Sequence, residues 1–207
     1  MIRILLAEDQ AMVRGALAAL LGLEADLEVV GEAGRGDEIV PAALATRPDV
    51  ALLDIELPGI DGLVAAAQLR AALPTCRVII LTTFGRPGYL RRAMEAGARG
   101  FVLKDTPAAQ LAVAIRSVMR GIRVVDPSLA VSALSDGANP LSERERETLA
   151  LSAERGTIAE IAASLHLSEG TVRNHLSAAI QKTGARNRAE AARIAAAKGW
   201  LDPSPAE

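Results

Sequence analysis

Carboxylate side chains follow two separate apolar runs of this chain. Asp54 ends the run DVALLD, and the pair Glu8 and Asp9 comes directly after the run IRILLA. If both runs are strands of one parallel sheet, their carboxyl ends meet at one edge, which is where such sheets bind ligands. Carboxylates a few ångströms apart resist joint ionisation, so this cluster requires a compensating cation. Magnesium fits, because one or two carboxylates hold it while it keeps waters and a place for a phosphate oxygen.

Two further polar residues stand at the ends of later apolar runs. Thr82 ends the run VIILT, and Lys104 follows the run GFVL. The strand pattern favours Thr82 over its neighbour Thr83. The lysine can balance phosphate oxygens, and the threonine hydroxyl can donate a hydrogen bond to one of them. Because Asp54 can itself be the nucleophile that accepts a phosphoryl group, the sequence predicts a magnesium-dependent phosphoryl-accepting site.

Each of these residues also has an ordinary interpretation when it is taken alone. Asp54 is then a turn or helix-cap residue, Thr82 a strand residue and Lys104 a solvated surface charge. Only their common position at strand ends favours a shared site. Asp61 is predicted to be a turn residue before the third helix, without a metal-binding role.

The elements that position the site alternate along the first 120 residues. Short β-rich runs are separated by longer helical patterns such as Gln10–Leu23 and Gly62–Leu73. The runs are IRILLA, LEVVGEA, DVALLD, VIILTT and GFVLK. Five strands alternating with five helices predict an α/β domain with a five-stranded parallel sheet, flavodoxin-like, with helices on both faces. The fifth helix is expected to begin with Asp105 or Thr106 as its cap.

A second, helical region follows the first. Pro127 and Gly137 interrupt any regular element after the fifth helix, and helical spacing resumes where Ser142 and Glu145 form a capping-box pattern. Three or four helices are expected from there to the neighbourhood of Trp200. The predicted division is a first domain over residues 1–120, a linker over 121–139, an all-α domain over 140–201 and a tail over 202–207.

The stretch TIAEIAASLHLSEGTVRNHLSAAIQKTG is typical of a helix, a tight turn and a second helix that Ser168 caps. The apolar face of the second helix is predicted to contain Val172, Leu176, Ala179, Ile180 and Thr183. The opposite face carries Arg173 and Asn174, which suit the DNA major groove because arginine reads guanine and asparagine reads adenine. Taken alone, these two residues would be an ordinary solvated helix face. The predicted DNA contacts are Thr171, Arg173, Asn174, Ser177, Lys182, Arg186 and Arg188, with the last three on phosphates.

Composition narrows the class of protein. Half of the 207 residues are hydrophobic and only 2% are aromatic, which is typical of a globular protein with aliphatic cores. No apolar stretch approaches the roughly 20 residues of a membrane span, so we expect a soluble, cytoplasmic protein without a membrane partner. The single cysteine, Cys76, excludes an intramolecular disulfide. The formal net charge is −2, but five basic and two acidic residues lie between Ser168 and Arg193, a local bias that suits nucleic acid.

Residues 1–120 resemble the receiver domain of two-component response regulators. The match rests on Glu8-Asp9, Asp54, Pro58-Gly59, Thr82, Phe101 and Lys104. The resemblance implies that a sensor histidine kinase phosphorylates Asp54, and that the acidic pair, Asp54 and the backbone carbonyl of Glu56 hold Mg²⁺. It also implies that phosphorylation draws Thr82 toward the phosphoryl group and lets Phe101 turn inward.

Residues 140–201 resemble the four-helix DNA-binding domain of the LuxR/NarL type, through the segments EIA, TVRNH and NRAEA. The order of receiver, linker and helix-turn-helix is similar to that of NarL/FixJ-type response regulators. The segment TTFGRPGYLRRAMEAG further resembles the regulators of membrane-lipid desaturation. The resemblance implies a transcription factor, not an enzyme. We further expect that phosphorylation promotes homodimerisation of the receivers, so that two recognition helices bind double-stranded promoter DNA. The expected pairing surface is the first and fifth helices, where Ala, Leu, Val and Met are plentiful, and these residues suit a core that faces the sheet equally well.

Two alternatives stay open at this point. One is DNA binding that is independent of phosphate, with the first domain acting as a protein-interaction module. The other is a Mg²⁺-dependent phosphatase of the haloacid-dehalogenase type, which also uses an aspartate nucleophile at a strand end. The motif of that phosphatase needs a second aspartate two residues later, and Glu56 occupies the corresponding place here.

Overall fold

The computed structural model describes residues 1–83, 87–127, 129–130, 139–153 and 156–201. These residues form two compact units, one built on a parallel sheet and one formed by the C-terminal helices. Each unit has a hydrophobic core of its own. Among the described residues, no helix is both long enough and apolar enough to cross a membrane.

The first unit contains a parallel sheet of six strands in the order β2-β1-β3-β4-β5-β6. The strands are β1 (Ile2–Ala7), β2 (Leu27–Ala33), β3 (Val50–Asp54), β4 (Arg77–Thr82), β5 (Gly100–Leu103) and β6 (Val124–Val125). Strand β3 is buried over its whole length. Central strands of a parallel sheet are covered on both faces, which explains why their sequences are continuously apolar.

Five helices accompany these strands among the described residues. They are α1 (Ala11–Leu21), α2 (Ile39–Thr46), α3 (Gly62–Ala72), α4 (Pro87–Glu95) and α5 (Ala108–Met119), with a short 3₁₀ turn at Gly36–Glu38. Helices α1 and α5 contribute Leu21 and Ile115 to one core cluster on the sheet. The alternate strand residues Leu5, Leu53 and Ile80 are also fully buried, and they point to the opposite face. The predicted α/β class with helices on both faces is therefore confirmed.

The structure corrects the predicted number of strands from five to six. Strand β6 pairs in parallel with β5, and the Val124 N–H donates to the Arg99 carbonyl at 3.0 Å. Two residues are too few to produce a recognisable pattern, and the nearby Pro127 favoured a linker. The sheet therefore extends into residues 121–139, whereas residues 131–138 of that linker and the tail at 202–207 lie outside the described residues.

The expected cap of α5 is also wrong. Pro107 occupies the N-cap position with a ψ of 140°, and no side chain forms a cap hydrogen bond there. A turn at Lys104 and Asp105, closed by a hydrogen bond from the Thr106 N–H to the Leu103 carbonyl at 3.1 Å, separates β5 from the helix.

Four helices form the second unit within the described ranges. They are α6 (Glu143–Ala153), α7 (Ile158–Leu165), α8 (Glu169–Thr183) and α9 (Arg188–Ala197). The predicted capping box is confirmed, because the Ser142 N–H donates to the Glu145 carboxylate (2.7 Å) and the Glu145 N–H donates to the Ser142 hydroxyl (3.3 Å). Ser168 caps α8 as predicted, by accepting from the Thr171 N–H at 3.1 Å. The apolar face of α8 packs in a core that includes Trp200.

Candidate functional site

The acidic residues lie where the strands of the first unit end. Asp54 is the last residue of β3, and Glu8 and Lys104 directly follow β1 and β5. Strands β1, β3, β4 and β5 are consecutive in the sheet, so their carboxyl ends converge on one edge. Asp54 and Glu8 are only 5% and 1% exposed. The structure thus brings the predicted residues together in a buried cluster of charge.

Lys104 is shared between the two buried carboxylates. Its ammonium Nζ lies 2.8 Å from Asp54 Oδ2 and 2.6 Å from Glu8 Oε2. Asp54 Oδ1 accepts a hydrogen bond from the Ile55 N–H at 2.7 Å. The contact with Glu8 is an ion pair by distance without the alignment of a hydrogen bond, and Glu8 Oε2 accepts none from the described residues. That oxygen therefore keeps the capacity to bind a second cation.

The burial of these groups changes their protonation. Burial raises the pKa of Asp54 and the pKa of Glu8, and the Lys104 ammonium opposes that effect only in part. Burial alone would lower the pKa of Lys104, but the close contacts of its ammonium with the carboxylates of Asp54 and Glu8 outweigh it and the pKa of Lys104 is raised. One ammonium therefore faces two carboxylates, which leaves an excess of negative charge at this edge.

The carboxylates have the spacing and chemistry of a site for a hard cation. Glu8, Asp9 and Asp54 each offer an oxygen within 4.8 Å of the others, and Asp9 is exposed to solvent. Oxygen ligands of this number suit Mg²⁺, which keeps several of its waters. Glu56 lies in the loop after β3, and its backbone N–H opposes the rise that burial causes in the pKa of Asp54. The residues thus fit the predicted cation, and the role of the Glu56 carbonyl stays a prediction.

Thr82 and Phe101 lie on β4 and β5, the strands that follow β3 in the sheet. Thr82 is the last residue of β4 and is 5% exposed, whereas Thr83 is exposed. The Thr82 carbonyl accepts from the Lys104 N–H at 2.9 Å, which ties the ends of β4 and β5. Phe101 is fully buried. The rotation of Phe101 on phosphorylation stays a prediction.

Sequence reasoning missed the role of Gly62, the first residue of α3. A Cβ at this position would lie 1.8 Å from the backbone carbonyl oxygen of Asp54, so only glycine allows α3 to begin this close to the strand end. Asp61, which the sequence predicted as a turn residue before this helix, caps α3 by accepting from the Leu63 and Val64 N–H groups at 2.6 and 2.9 Å. The dipeptide Asp-Gly after the apolar strand was the available signal.

Helix α8 presents the predicted polar face to solvent. Arg173, Asn174 and Ser177 are exposed, and Thr171 is half-buried. Arg173 pairs with Glu169 one turn earlier at 2.8 Å, a contact at the surface that costs little to exchange for a DNA group. This face is therefore accessible to a ligand within the described unit.

The predicted phosphate contacts have partners inside the second unit. Lys182 Nζ lies 2.9 and 2.8 Å from the two carboxylate oxygens of Glu145. Burial alone would raise the pKa of Glu145, but the hydrogen bonds from Lys182 and from the Ser142 N–H lower it. Arg186 pairs with Glu190 at 3.0 Å, and Arg188 donates to the Gly156 carbonyl at 3.3 Å. Sequence reasoning missed the Lys182–Glu145 pair, which ties α8 to the start of α6.

Comparison with known families covers both units. Residues 4–116 match the model of the response regulator receiver domain. Residues 139–195 match the model of the bacterial regulatory proteins of the luxR family.

Individual relatives share both regions in one chain. The chain is 49% identical to the uncharacterized transcriptional regulatory protein YvfU and 48% identical to the transcriptional regulatory protein DesR, both from Bacillus subtilis (strain 168). Each alignment covers 97% of this chain and 100% of the relative. The crystal structure of the response regulator ChrA from a heme-sensing two-component system aligns with a TM-score of 0.58 at 33% identity, over 97% of this chain and 98% of that one.

Proposed function

The chain belongs to the response regulators that join a receiver domain to a LuxR-type DNA-binding domain, and on that premise we propose that phosphorylation of Asp54 controls its binding to promoter DNA. The family consists of transcription regulators, which removes the phosphatase alternative. The proposed phosphate donor is a sensor histidine kinase. The proposal places the protein in the cytoplasm, where a regulator of this kind meets both the kinase and the DNA.

The observation that carries the proposal is the sharing of Lys104 between Asp54 and Glu8. In the proposed reaction, an Asp54 carboxylate oxygen attacks the phosphorus of the phosphohistidine, the P–N bond breaks and an acyl phosphate forms. Lys104 then balances charge on the phosphoryl oxygens. A Mg²⁺ ion held by Glu8, Asp9 and Asp54 would supply charge neutralisation and orientation for the transferred group.

Two further parts of the receiver are proposed to connect phosphorylation to dimerisation. Thr82 is proposed to bind a phosphoryl oxygen and to report its arrival, with Phe101 packed behind it. Helices α1 and α5 contact each other, and they expose the apolar side chains of Met12 and Val113 by 87% and 56%. Exposed apolar side chains on adjacent helices often mark an interface, which supports this surface as the place of phosphorylation-dependent homodimerisation.

Pairing of two receivers would bring two copies of α8 to one DNA molecule. The proposed DNA contacts are the base-reading face with Arg173 and Asn174 and the flanking groups Thr171, Ser177, Lys182, Arg186 and Arg188. Dimeric helix-turn-helix proteins bind half-sites separated by about 34 Å, which is one helical turn of DNA. Phosphorylation would then act as a population shift toward the paired state.

Labelling with acetyl phosphate and Mg²⁺ tests the phosphoacceptor. Intact-mass spectrometry of the full-length protein should show one added phosphoryl group on wild type and none on Asp54→Asn. Asp61→Asn is the matched control, because Asp61 is a nearby carboxylate with a capping role that asparagine also performs. Label that persists on Asp54→Asn, or that disappears only from Asp61→Asn, would contradict the assignment. Binding of Asp54→Asn to DNA at wild-type strength under phosphorylating conditions would instead favour the phosphate-independent alternative.

A further inference from the structure

We propose that Arg14 is a positioning residue for the acidic pair Glu8 and Asp9, which it holds in the geometry that binds the divalent cation. The inference rests on the proposed function and deepens it, because it concerns the same phosphoryl-accepting site. Arg14 lies outside the set of residues that the sequence patterns indicate.

Arg14 lies in the first turns of α1, and its guanidinium contacts two neighbouring strand ends. Nη1 donates a hydrogen bond to the backbone carbonyl of Glu8, just after β1. Nε donates to the carboxylate of Glu32, near the end of β2, at 3.1 Å. The Arg14 side chain is only 21% exposed. The rigid planar fork of arginine therefore links α1, β1 and β2 from a largely covered position.

The bond to the Glu8 carbonyl orients the peptide group between the two acidic residues. A trans peptide is planar and rigid, so fixing the Glu8 C=O also fixes the N–H and Cα of Asp9. The Glu8 N–H is held by the Ala33 carbonyl at 3.0 Å, and the Gln10 N–H donates to Glu8 Oε1 at 3.3 Å. The side chain of Asp9 is exposed, so its direction depends on this backbone. Arg14 thus acts on the cation ligands through their main chain.

An arginine with a purely structural role would make the same contacts as Arg14. Arg3 provides a comparison within the same domain. Arg3 stands at the amino end of β1 and donates to the backbone carbonyl of Thr46 at 2.6 Å. That bond also joins an arginine to a main-chain oxygen, but at the opposite end of the strand from the acidic cluster. If both bonds only support the fold, their removal should have the same effect on cation binding. If Arg14 positions the acidic pair, only its removal should weaken binding.

The test is calorimetric titration of Mg²⁺ and Mn²⁺ into full-length wild type, Arg14→Gln and Arg3→Gln. We expect Arg14→Gln to weaken the binding of both ions about tenfold, as is usual when a group that orients a metal ligand is removed. Arg3→Gln should bind as wild type does. Glu32→Gln should give a smaller loss than Arg14→Gln, because it removes only the second anchor of the guanidinium.

A readout without metal separates positioning from a change of charge. Hydrogen exchange of the backbone amides of Asp9 and Gln10, measured in the metal-free protein, should become faster in Arg14→Gln and stay unchanged in Arg3→Gln. Arg14→Lys keeps the charge and one donor, so it should fold even if the glutamine variant does not, and it should recover only part of the affinity.

Equal cation affinity of Arg14→Gln and Arg3→Gln, with wild type binding normally, would overturn the role of Arg14 and leave the proposed function intact. Full recovery of affinity by Arg14→Lys together with unchanged amide exchange in Arg14→Gln would also overturn it, because charge alone would then suffice. Absence of cation binding to wild type would instead contradict the proposed function itself.

Discussion

Each unit of the molecule contains a lysine that pairs with a buried carboxylate, and the two pairs differ in how completely they are satisfied. Lys182 meets a single carboxylate, that of Glu145, which also accepts from the Ser142 N–H. Lys104 meets two carboxylates, Asp54 and Glu8, at 2.8 and 2.6 Å. In the helical unit one ammonium balances one carboxylate. In the receiver one ammonium faces two carboxylates, so negative charge is in excess.

The pKa shifts of the two regions follow the same difference. The pKa of Glu145 is lowered, because Lys182 and a backbone N–H outweigh the effect of burial. The pKa values of Asp54 and Glu8 are raised, because burial outweighs one shared ammonium. An ion pair that satisfies its carboxylate stabilises the fold, and a cluster with more carboxylates than cations is prepared to bind one. The number of carboxylates that share one ammonium, more than the presence of a lysine, distinguishes the Lys182 contact from the candidate cation site at Lys104.

Removal of Lys104 should have the largest effect on the charge balance of the acidic cluster. Lys104→Gln leaves two buried carboxylates without a cation, so the metal-free receiver should lose about 3–5 kcal/mol of stability. Saturating Mg²⁺ should restore part of this loss, because the ion replaces the missing charge. Hydrogen exchange of the β3 amides, with and without Mg²⁺, measures both effects. A loss that Mg²⁺ does not change would contradict the view of this cluster as a cation site.

In the helical unit, the exposed cation on α8 should affect function and leave stability unchanged. Arg173→Ala should weaken DNA binding by about 1–3 kcal/mol and relax the preference at one base position. Arg193→Ala is the matched control, because Arg193 is an exposed arginine on α9. Binding of a set of single-base variants of the operator separates the outcomes, since an equal loss on every sequence would make Arg173 a phosphate contact.

Removal of Lys182, unlike removal of Arg173, should lower the stability of the helical unit. Lys182→Gln should destabilise the helical unit by about 1–2 kcal/mol, less than a fully buried pair would lose because Lys182 is partly exposed. Trp200 lies in the core of this unit and is the only tryptophan of the chain, so its fluorescence follows unfolding there. Mg²⁺ should have no effect on this variant beyond its effect on wild type. Unchanged stability with weaker DNA binding would make Lys182 a phosphate contact and not an anchor.

The smallest expected effect is a pH dependence of opposite sign in the two units. Because the pKa of Glu145 is lowered in the folded state, its stabilising contribution is complete above the ordinary glutamate pKa of about 4.3 and is lost as the pH falls further. The difference in unfolding free energy between wild type and Glu145→Gln should therefore shrink on acidification. Trp200 fluorescence in denaturant titrations at several pH values measures it, and a difference that grows toward low pH would contradict the lowered pKa.

For Asp54 the raised pKa reverses the sign. Its buried charge destabilises the metal-free receiver at neutral pH, and that penalty is relieved as the carboxyl group is protonated. Asp54→Asn should therefore stabilise the metal-free receiver at pH 7, and the gain should disappear in acid. Exchange of the β3 amides at both pH values checks the expectation.

The grouping of the acidic residues with Lys104 was predictable from the sequence because it follows from the sheet. Asp54, Glu8 and Lys104 all end or follow apolar runs, and parallel strands align their carboxyl ends whatever the details of the side chains. The helix starts at Ser142 and Ser168 were equally predictable from the sequence, because a capping pattern involves only residues that are close along the chain. Strand β6 was not predictable, because two residues are too few to show a periodic pattern. Its extended conformation depends on pairing with β5.

The contacts that the sequence did not predict depend on how helices and strands pack against one another. Lys182 and Glu145 are separated by 37 positions, and they meet only because α8 and α6 pack at a particular rotation. The Arg14 bond to the Glu8 carbonyl and the close approach of Gly62 to Asp54 likewise depend on tertiary geometry. Periodicity and composition carry no information about such contacts, although each contact affects the position of a helix that the sequence predicted.

We propose that a phosphoryl group at Asp54 converts the protein from a monomer to a homodimer. Light scattering of the full-length protein with Mg²⁺, in the presence and absence of beryllium fluoride, tests it most directly on wild type and Asp54→Asn. We expect beryllium fluoride to double the mass of wild type and to leave Asp54→Asn monomeric. An unchanged wild-type mass, or an equal increase in both proteins, would contradict the claim.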